Sequence, residues 1–419
     1  MEYRDFILNV TAPLTGVPAW YANAAESVWT DLTLSHTLDS VKQPTLGSKD
    51  NAIAAILPWT GACIDPVRGD LLMVANGGHG DGASNAAYGF RYMADTPGWY
   101  CLSAQTPIGS IDATPADGTI QQYADGRMRA VHGWNRVTFA NGKVWYTAQD
   151  STSSNDGFSW GVWSFDPATS GIPAGPGGTP LPWANGAKIT TAGEVRGPWK
   201  YWGSLDTGTS DGGGPACYDS TSGMIWTFGA NYGGQKFFTV NPADASFTKY
   251  TNSYEPRVLK SAWVVPTPLG LIAGERSGVN RVQILNRATK AWSAQVTTPA
   301  VAGDNNFDPA GVFGTALGVL PEGWGAVYHP EANAIYAYDI QQLGAKIRKL
   351  NLSTWVWSTI SPGGVTPVRS AGAVSVSHGS YSKFNIVKVG TVGGVDRYAL
   401  LNVCHTTKVY AMKLPAGGL

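Results

Sequence analysis

Trp59-Thr60-Gly61-Ala62-Cys63-Ile64-Asp65-Pro66-Val67-Arg68-Gly69-Asp70-Leu71-Leu72-Met73-Val74-Ala75 opens the stretch on which the fold turns. Two short apolar runs flank the turn residues Asp65 to Asp70. A double glycine, Gly77-Gly78, follows, and then the small polar loop His79-Gly80-Asp81-Gly82-Ala83-Ser84-Asn85. A third run ends Tyr88-Gly89-Phe90, and Trp99-Tyr100-Cys101 heads a fourth. Four short runs separated by turn chemistry predict one antiparallel four-stranded sheet.

The order apolar run, Gly-Gly, Tyr, Trp resembles one kelch repeat, the blade of a kelch or galactose-oxidase-type β-propeller, and blade periods of about 40 to 50 residues belong to that class. The resemblance implies an all-β, kelch-like β-propeller, and further blades are expected. Blade two is read from Trp134–Phe139 through Asn141–Tyr146 to Val162–Pro167, with a Pro/Gly-rich tail at Gly171–Gly178. Blade three is read as Ala216–Asp219, Gly223–Gly229, Lys236–Val240 and Phe247–Tyr250, and blade four as Ala262–Val265, Leu269–Gly274, Arg281–Leu285 and Ala291–Ser293. Blade five is read as Gly325–Pro330, Ala334–Tyr338, Ile347–Leu350 and Trp355–Ser358.

At the end of the chain three strands, Ala371–Val376, Arg397–Val403 and Lys408–Leu414, lack a fourth. Ser27-Val28-Trp29-Thr30-Asp31-Leu32 looks like a fourth strand without its first three. The N-terminal strand is therefore expected to complete the C-terminal blade, which removes the open edges of a linear stack. This gives six blades, with a seventh left open by the long insertions Gly171–Gly214 and Val301–Glu322. Residues 1–25 read as an arm and 26–419 as one propeller domain.

Composition narrows the partners. Charged residues are 14% of the 419, with 29 basic against 29 acidic, so no global field selects nucleic acid or an anionic membrane. The 52 glycines and 17 tryptophans combine turn chemistry with large flat side chains, as all-β folds with wet aromatic surfaces do. Cys63, Cys101, Cys217 and Cys404 have no CxxC spacing and read as buried thiols. The N-terminus shows no signal-peptide pattern, and no apolar run is long enough to span a bilayer, so membrane insertion is not expected. These features suit a cytoplasmically made protein, including one later assembled into a virus particle.

Loops joining strand two to strand three, and blade to blade, emerge on one face of a propeller, and that face is expected to carry function. His79, Asp81 and Asn85 fall there from blade one, with Arg127, Arg129, His132 and Trp134 before blade two. Trp199, Lys200, Tyr201, Trp202 and Asp206 are assigned there from the insertion before blade three. Tyr254, Glu255 and Arg257 precede blade four, and Asp304, Asn305, Asn306 and Asp308 precede blade five. Arg129, Arg257 and Arg369 match the arginine that kelch repeats often carry before the innermost strand. Aromatics interleaved with Asn, Asp and Arg suit sugar recognition, while the competing role for each residue is to brace a long loop. The expected site is a shallow aromatic and polar patch near the axis, formed by His79, Asp81, Arg129, Trp199 and Trp202.

The copper enzymes of this class hold their metal with two tyrosines and two histidines, one Tyr-His pair being adjacent. Tyr328-His329 is such a pair, and His405 lies further on. His329, however, falls where Asp65 and Asp219 fall, at the turn leaving the innermost strand on the opposite face. Neither a metal nor another cofactor is expected. Three functions stay open: a propeller that binds a surface glycan or other virion proteins, including as a homo-oligomer in a phage tail or hub; an enzyme on the loop face, either glycan-active with two of Asp81, Asp206, Glu255, Asp304 and Asp308 or galactose-oxidase-like; and a bacterial kelch interaction scaffold.

Overall fold

The computed structural model describes residues 16–43, 57, 59–75, 84–107, 120, 122–147, 149–150, 158–159, 161–169, 176–178, 186–205, 214–229, 236–251, 263–274, 281–293, 296–297, 323–338, 346–367, 379–404 and 407–419. Among these, the strands form six sheets of four or five strands and one small hairpin, Gln149–Asp150 with Phe158–Ser159. The fold is a six-bladed β-propeller. Blade one runs outward from the axis as Cys63–Asp65, Asp70–Val74, Ala87–Arg91 and Gly98–Ser103. Blades three and five, Ala216–Asp219 to Phe247–Thr251 and Gly325–His329 to Val356–Ile360, follow the same meander. Blade four runs from Trp263–Thr267 to a short outer strand at Val296–Thr297, beyond the expected Ala291–Ser293.

Blade two departs from its expected outline. Its innermost strand is only Thr138–Ala140, because Trp134 to Arg136 form a turn. Its fourth strand is Trp199–Ser204, hydrogen-bonded along Gly161–Phe165, with the two-residue strand Val195–Arg196 outside it. The insertion that left room for a seventh blade thus supplies the missing strand of the second.

Closure occurs as the sequence predicts. Val28–Asp31 pairs antiparallel with Val409–Lys413, Trp29 standing opposite Met412, Thr30 opposite Ala411 and Asp31 opposite Tyr410. Gly363–Gly364, beyond the last strand of blade five, pairs in parallel with the outer side of Val28–Trp29, so even this strand is not an edge. The innermost strand of blade six is Phe384–Val392, not Ala371–Val376, which lies outside the described residues. The short helix Ala19–Asn23 docks by burying Trp20 and Tyr21, and Trp20 Nε1 donates to the Tyr92 carbonyl at 2.6 Å.

The turns from the innermost strand to the second in blades one, three and five share one device. Asp65 Oδ1 accepts from the Val67 and Arg68 amides at 3.0 and 3.1 Å, and Asp219 accepts from Ser222 Oγ at 2.7 Å. Both turns end in a left-handed glycine, Gly69 and Gly223. In blade five His329 takes the aspartate's place. Its Nδ1 accepts from the Ala332 amide at 3.0 Å, and left-handed Asn333 replaces the glycine. His329 is fully buried against the rings of Tyr336 and Tyr398. Burial, followed by the nearby Lys349 charge, pushes its pKa down to about 4.

The pH consequence has a definite sign. Because the folded pKa is below the unfolded value of about 6.5, the unfolded chain binds the extra proton between them. The stabilisation is fully present above about pH 6.5 and is lost as pH falls toward 4, by about 3 kcal/mol. His329→Asn keeps a turn acceptor and removes the titration. Thermal or urea unfolding between pH 7.5 and 4.5 should show a flatter acid limb in the variant. Identical slopes in the two proteins would refute this role for His329.

Candidate functional site

The chain enters the innermost strand of every blade from one face, here the entry face, and leaves it on the other, the turn face. Each innermost strand sets one or more part-exposed residues among buried ones, as a strand with one side on a channel can. Those that face the channel are Ile64, Phe139, Tyr218, Pro266, Ala326, and Asn385 with Ile386, whereas Lys388 and Thr391 of blade six, also part-exposed, are not in its wall. The channel-facing residues line an axial cavity of about 780 Å³ together with the turn residues Pro66, Val67, Asn141 and Pro330.

At the entry face the described residues shut this cavity. Blades two and five face each other across the axis of a six-bladed ring, yet Asn135 Nδ2 donates directly to the Trp324 carbonyl at 3.0 Å. From blade six, Ser382 Oγ donates to the Trp134 carbonyl at 2.6 Å and accepts from the Ala62 amide of blade one at 3.1 Å. The Trp134 amide donates to the Trp59 carbonyl at 2.9 Å. Trp59, Trp134 and Tyr381, which stand before three different innermost strands, all have left-handed backbones, with φ of 48°, 36° and 45°. Such conformations cost about 1 to 3 kcal/mol each and persist only where the surroundings enforce them. Here they bend the chain inward across the axis. Gly61 is required at the crossing, since a Cβ there would lie 2.5 Å from the Trp134 carbonyl oxygen.

The chemistry of the cavity is neutral. Among the described residues that line it there is no Asp, Glu, Lys, Arg or His. Several of its polar groups are already committed: Thr138 Oγ1 accepts from the Tyr218 amide at 3.1 Å, Asn385 Nδ2 donates to the Ser382 carbonyl at 2.6 Å, and Asn141 Nδ2 donates to the Pro242 carbonyl at 3.2 Å. Burial pushes the Cys63 and Cys217 thiols well above the ordinary range, with Asp65 and Asp219 adding to it, so neither is an activated nucleophile. Tyr218 is raised in the same way, first by burial and then by Asp219, and presents an uncharged hydroxyl.

Of the residues expected to form an exposed patch on the entry face, those that are described take other roles. Asn85 is buried and braces blade one against the segment before blade two: its Nδ2 donates to Thr106 Oγ1 and the Met128 carbonyl at 2.9 and 2.8 Å, and its Oδ1 accepts from the Thr106 amide at 2.7 Å. Arg129 is buried, its guanidinium 5.7 Å from the Tyr123 ring centre. His132 is buried between the rings of Trp59 and Trp134, at 5.1 and 4.7 Å, and Trp134 in turn covers Arg136 at 4.1 Å. Together His132 and Trp134 are part of the closure. Trp199 is fully buried in the fourth strand of blade two, edge-on to Phe165 at 5.0 Å. Half-buried Trp202 stacks on Trp145 at 5.6 Å and donates from Nε1 to Ser164 Oγ at 2.9 Å. Trp199 and Trp202 are thus removed from the axis, because the segment carrying them is a strand of blade two and not a loop. His79, Asp81 and Arg257 lie outside the described residues, as do Asp206, Glu255, Asp304 and Asp308.

Sequence reasoning missed the cavity wall. One signal was available: Ile64, Phe139, Tyr218, Pro266 and Ala326 each stand one to three residues before the end of an innermost strand. Among the described residues no group of three or more His, Cys, Asp or Glu is placed to hold a metal, and no helix is long and apolar enough to cross a membrane.

No protein-family model matches the sequence, and no curated protein matches it. Solved structures with a similar course include Sqt1 of Saccharomyces cerevisiae, 10% identical over 96% of this chain and 100% of that one with a TM-score of 0.42. An auxiliary nutrient binding protein of Bacteroides ovatus is 14% identical over 92% and 76% of the two chains, with a TM-score of 0.43. TolB of Acinetobacter baumannii is 7% identical over 80% and 61%, with a TM-score of 0.36. Likenesses this distant carry no weight for function, and the assignment to a six-bladed propeller stands on the strand topology itself.

Proposed function

We propose that this chain is a binding propeller without catalytic chemistry of its own, and that it takes its ligand into the axial cavity from the turn face. The observation that carries this reading is the cavity: about 780 Å³, walled by the innermost strands of all six blades and shut at the far end by hydrogen bonds across the axis. Its size is that of a ligand site, and apolar walls with a few placed polar groups are what such sites use. A glycosidase would need two carboxylates a few ångströms apart, and the described lining has none.

The finer reading, a phage virion component that engages a neighbouring subunit or a surface glycan, belongs to this proposal. It draws on the low, balanced charge and the wealth of Gly and Trp. Membership of the kelch class rests on the Gly77-Gly78, Tyr88, Trp99 order of blade one.

The test uses the neutral dye N-phenyl-1-naphthylamine as probe. Ala326 lines the cavity and is part-exposed, with one side against the core shared by blades four to six, so Ala326→Trp fills space at the cavity wall. Dye binding should weaken by about tenfold or more, the loss expected when a central contact is blocked, with melting unchanged. Undiminished binding by a folded variant would place the site elsewhere.

A further inference from the structure

Large apolar side chains exposed to solvent are not spread evenly over this propeller. Among the described residues there are nine, and six of them, Val67, Phe247, Leu269, Val356, Val392 and Val395, are between 40% and 57% exposed at the turn face. The topology places them there. Val67 and Leu269 sit in turns from innermost to second strand, and Val392 and Val395 flank the corresponding hairpin tip of blade six. Phe247 and Val356 begin the outermost strands of blades three and five, opposite the last residues of the third strands, Val240 and Asn351.

This is the face on which the axial cavity opens. A small molecule seated in the cavity would meet Val67, which lines it, but Phe247, Leu269, Val356, Val392 and Val395 are not part of the lining. Val67, Leu269, Val392 and Val395 stand in the turns that rim the mouth, with Phe247 and Val356 further out on blades three and five. Exposed apolar side chains on one face, beyond the reach of anything held inside the cavity, fit a macromolecular partner. The cavity then specifies what that partner inserts. A charged side chain would be stripped of water between Ile64, Phe139, Pro266 and Ile386 with no ion to pair with among the described lining. Charges of both signs stand in the surrounding turns, among them Arg68, Lys143, Asp244, Arg287, Glu331 and Asp396, outside the lining and where a polar rim belongs.

We infer that the turn face docks a protein partner, which inserts an uncharged, apolar chain segment into the axial cavity and covers the surrounding valines, Leu269 and Phe247. The inference rests on the cavity being the binding site. It assigns to that site a protein ligand in preference to a sugar or a small metabolite, and it uses no residue of the entry face.

Three full-length proteins test it: the parent, Ala326→Trp, and a rim variant carrying Phe247→Asp, Leu269→Asp and Val356→Asp, none of which lines the cavity. All three rim positions are solvent-exposed, so melting should be unchanged and serves as the control for folding. The probes are N-phenyl-1-naphthylamine and an immobilised set of short synthetic peptides that are neutral and apolar, acidic or basic. The parent should retain neutral apolar peptides at least about tenfold better than charged ones. Both variants should lose this retention, whereas dye binding should fall only in Ala326→Trp. Charged peptides retained as well as neutral ones, or retention indifferent to the rim variant, would overturn the protein-partner inference while dye loss in Ala326→Trp left the cavity standing. Dye binding indifferent to Ala326→Trp would remove the cavity as well. A concentration-dependent dimer of the parent, abolished by the rim substitutions, would overturn the inference in favour of a second copy of this chain.

Discussion

Deletion of residues 1 to 33 is expected to abolish cooperative folding and leave an aggregating product. The deletion removes the outermost strand of blade six, so Val409–Lys413 would face solvent as an unpaired edge carrying Val409, Tyr410, Ala411 and Met412, all buried in the intact protein. Exposed apolar edges template association. Gly363–Gly364 would lose its partner as well. The same contact can be weakened in place. Trp29 is 1% exposed, packs on Tyr338 at 5.5 Å and belongs to the core shared by blades four, five and six. Trp29→Ala should cost about 3 to 5 kcal/mol, the range for truncating a large aromatic in a core that cannot collapse around the loss. Urea unfolding of Trp29→Ala and size-exclusion chromatography of the deletion measure the two effects. A deletion product that stays monomeric with an unchanged melting transition would refute closure by this strand.

Asp70→Ala is the second large effect, expected at about 3 to 5 kcal/mol because it strands charges that have little water to turn to. Asp70 opens the second strand of blade one and is fully buried. Arg91 grips it with two bonds, Nε to Oδ1 at 2.9 Å and a terminal nitrogen to Oδ2 at 3.0 Å. Arg68 Nε adds a third at 3.1 Å, and the Tyr100 hydroxyl donates a fourth at 2.5 Å. The hydrogen bond to Asp70 is the chief reason why the Arg91 guanidinium holds its proton more tightly than usual. The side chains of Arg68 and Arg91 are only 18% and 21% exposed, so their pairing is poorly replaced by solvent. Tyr100→Phe removes one neutral donor and should cost about 1 kcal/mol. Chemical denaturation of Asp70→Ala beside Tyr100→Phe separates the charge from the hydroxyl. Equal losses in the two variants would mean that the carboxylate is worth no more than any neutral acceptor.

Much of the architecture could be read along the chain because each blade repeats its local chemistry. Strand, Asp-bearing turn and strand recur at Asp65 to Asp70 and Asp219 to Met224, and the structure shows the aspartates capping both turns. The bare strand around Trp29 and the blade that lacked a fourth strand could be matched because edges must be covered. What escaped were pieces without a local signature. Trp199–Ser204 is separated from the third strand of its blade by more than thirty residues, so nothing local ties Trp199 to Phe165. Phe384–Val392 carries Asn385, Lys388 and Gly390, a pattern that periodicity alone does not mark as the wall of a channel.

The sequence by itself determined the fold class, the closure of the ring and the neutrality of the protein, since alternation, turn residues and charge are properties of short stretches. Only the tertiary structure decided which residues meet a ligand. A blade-entry loop can stand out from the ring or fold across the axis, and the choice lies in the left-handed backbones of Trp59, Trp134 and Tyr381 and in hydrogen bonds that join blades two and five. Once those loops cross, His132 and Trp134 become part of a plug, and among the described residues the channel is left open toward the turns. Ile64, Phe139, Tyr218, Pro266, Ala326 and Ile386 are unremarkable strand residues taken singly. They become a site because six strands, far apart in the chain, are brought around one axis.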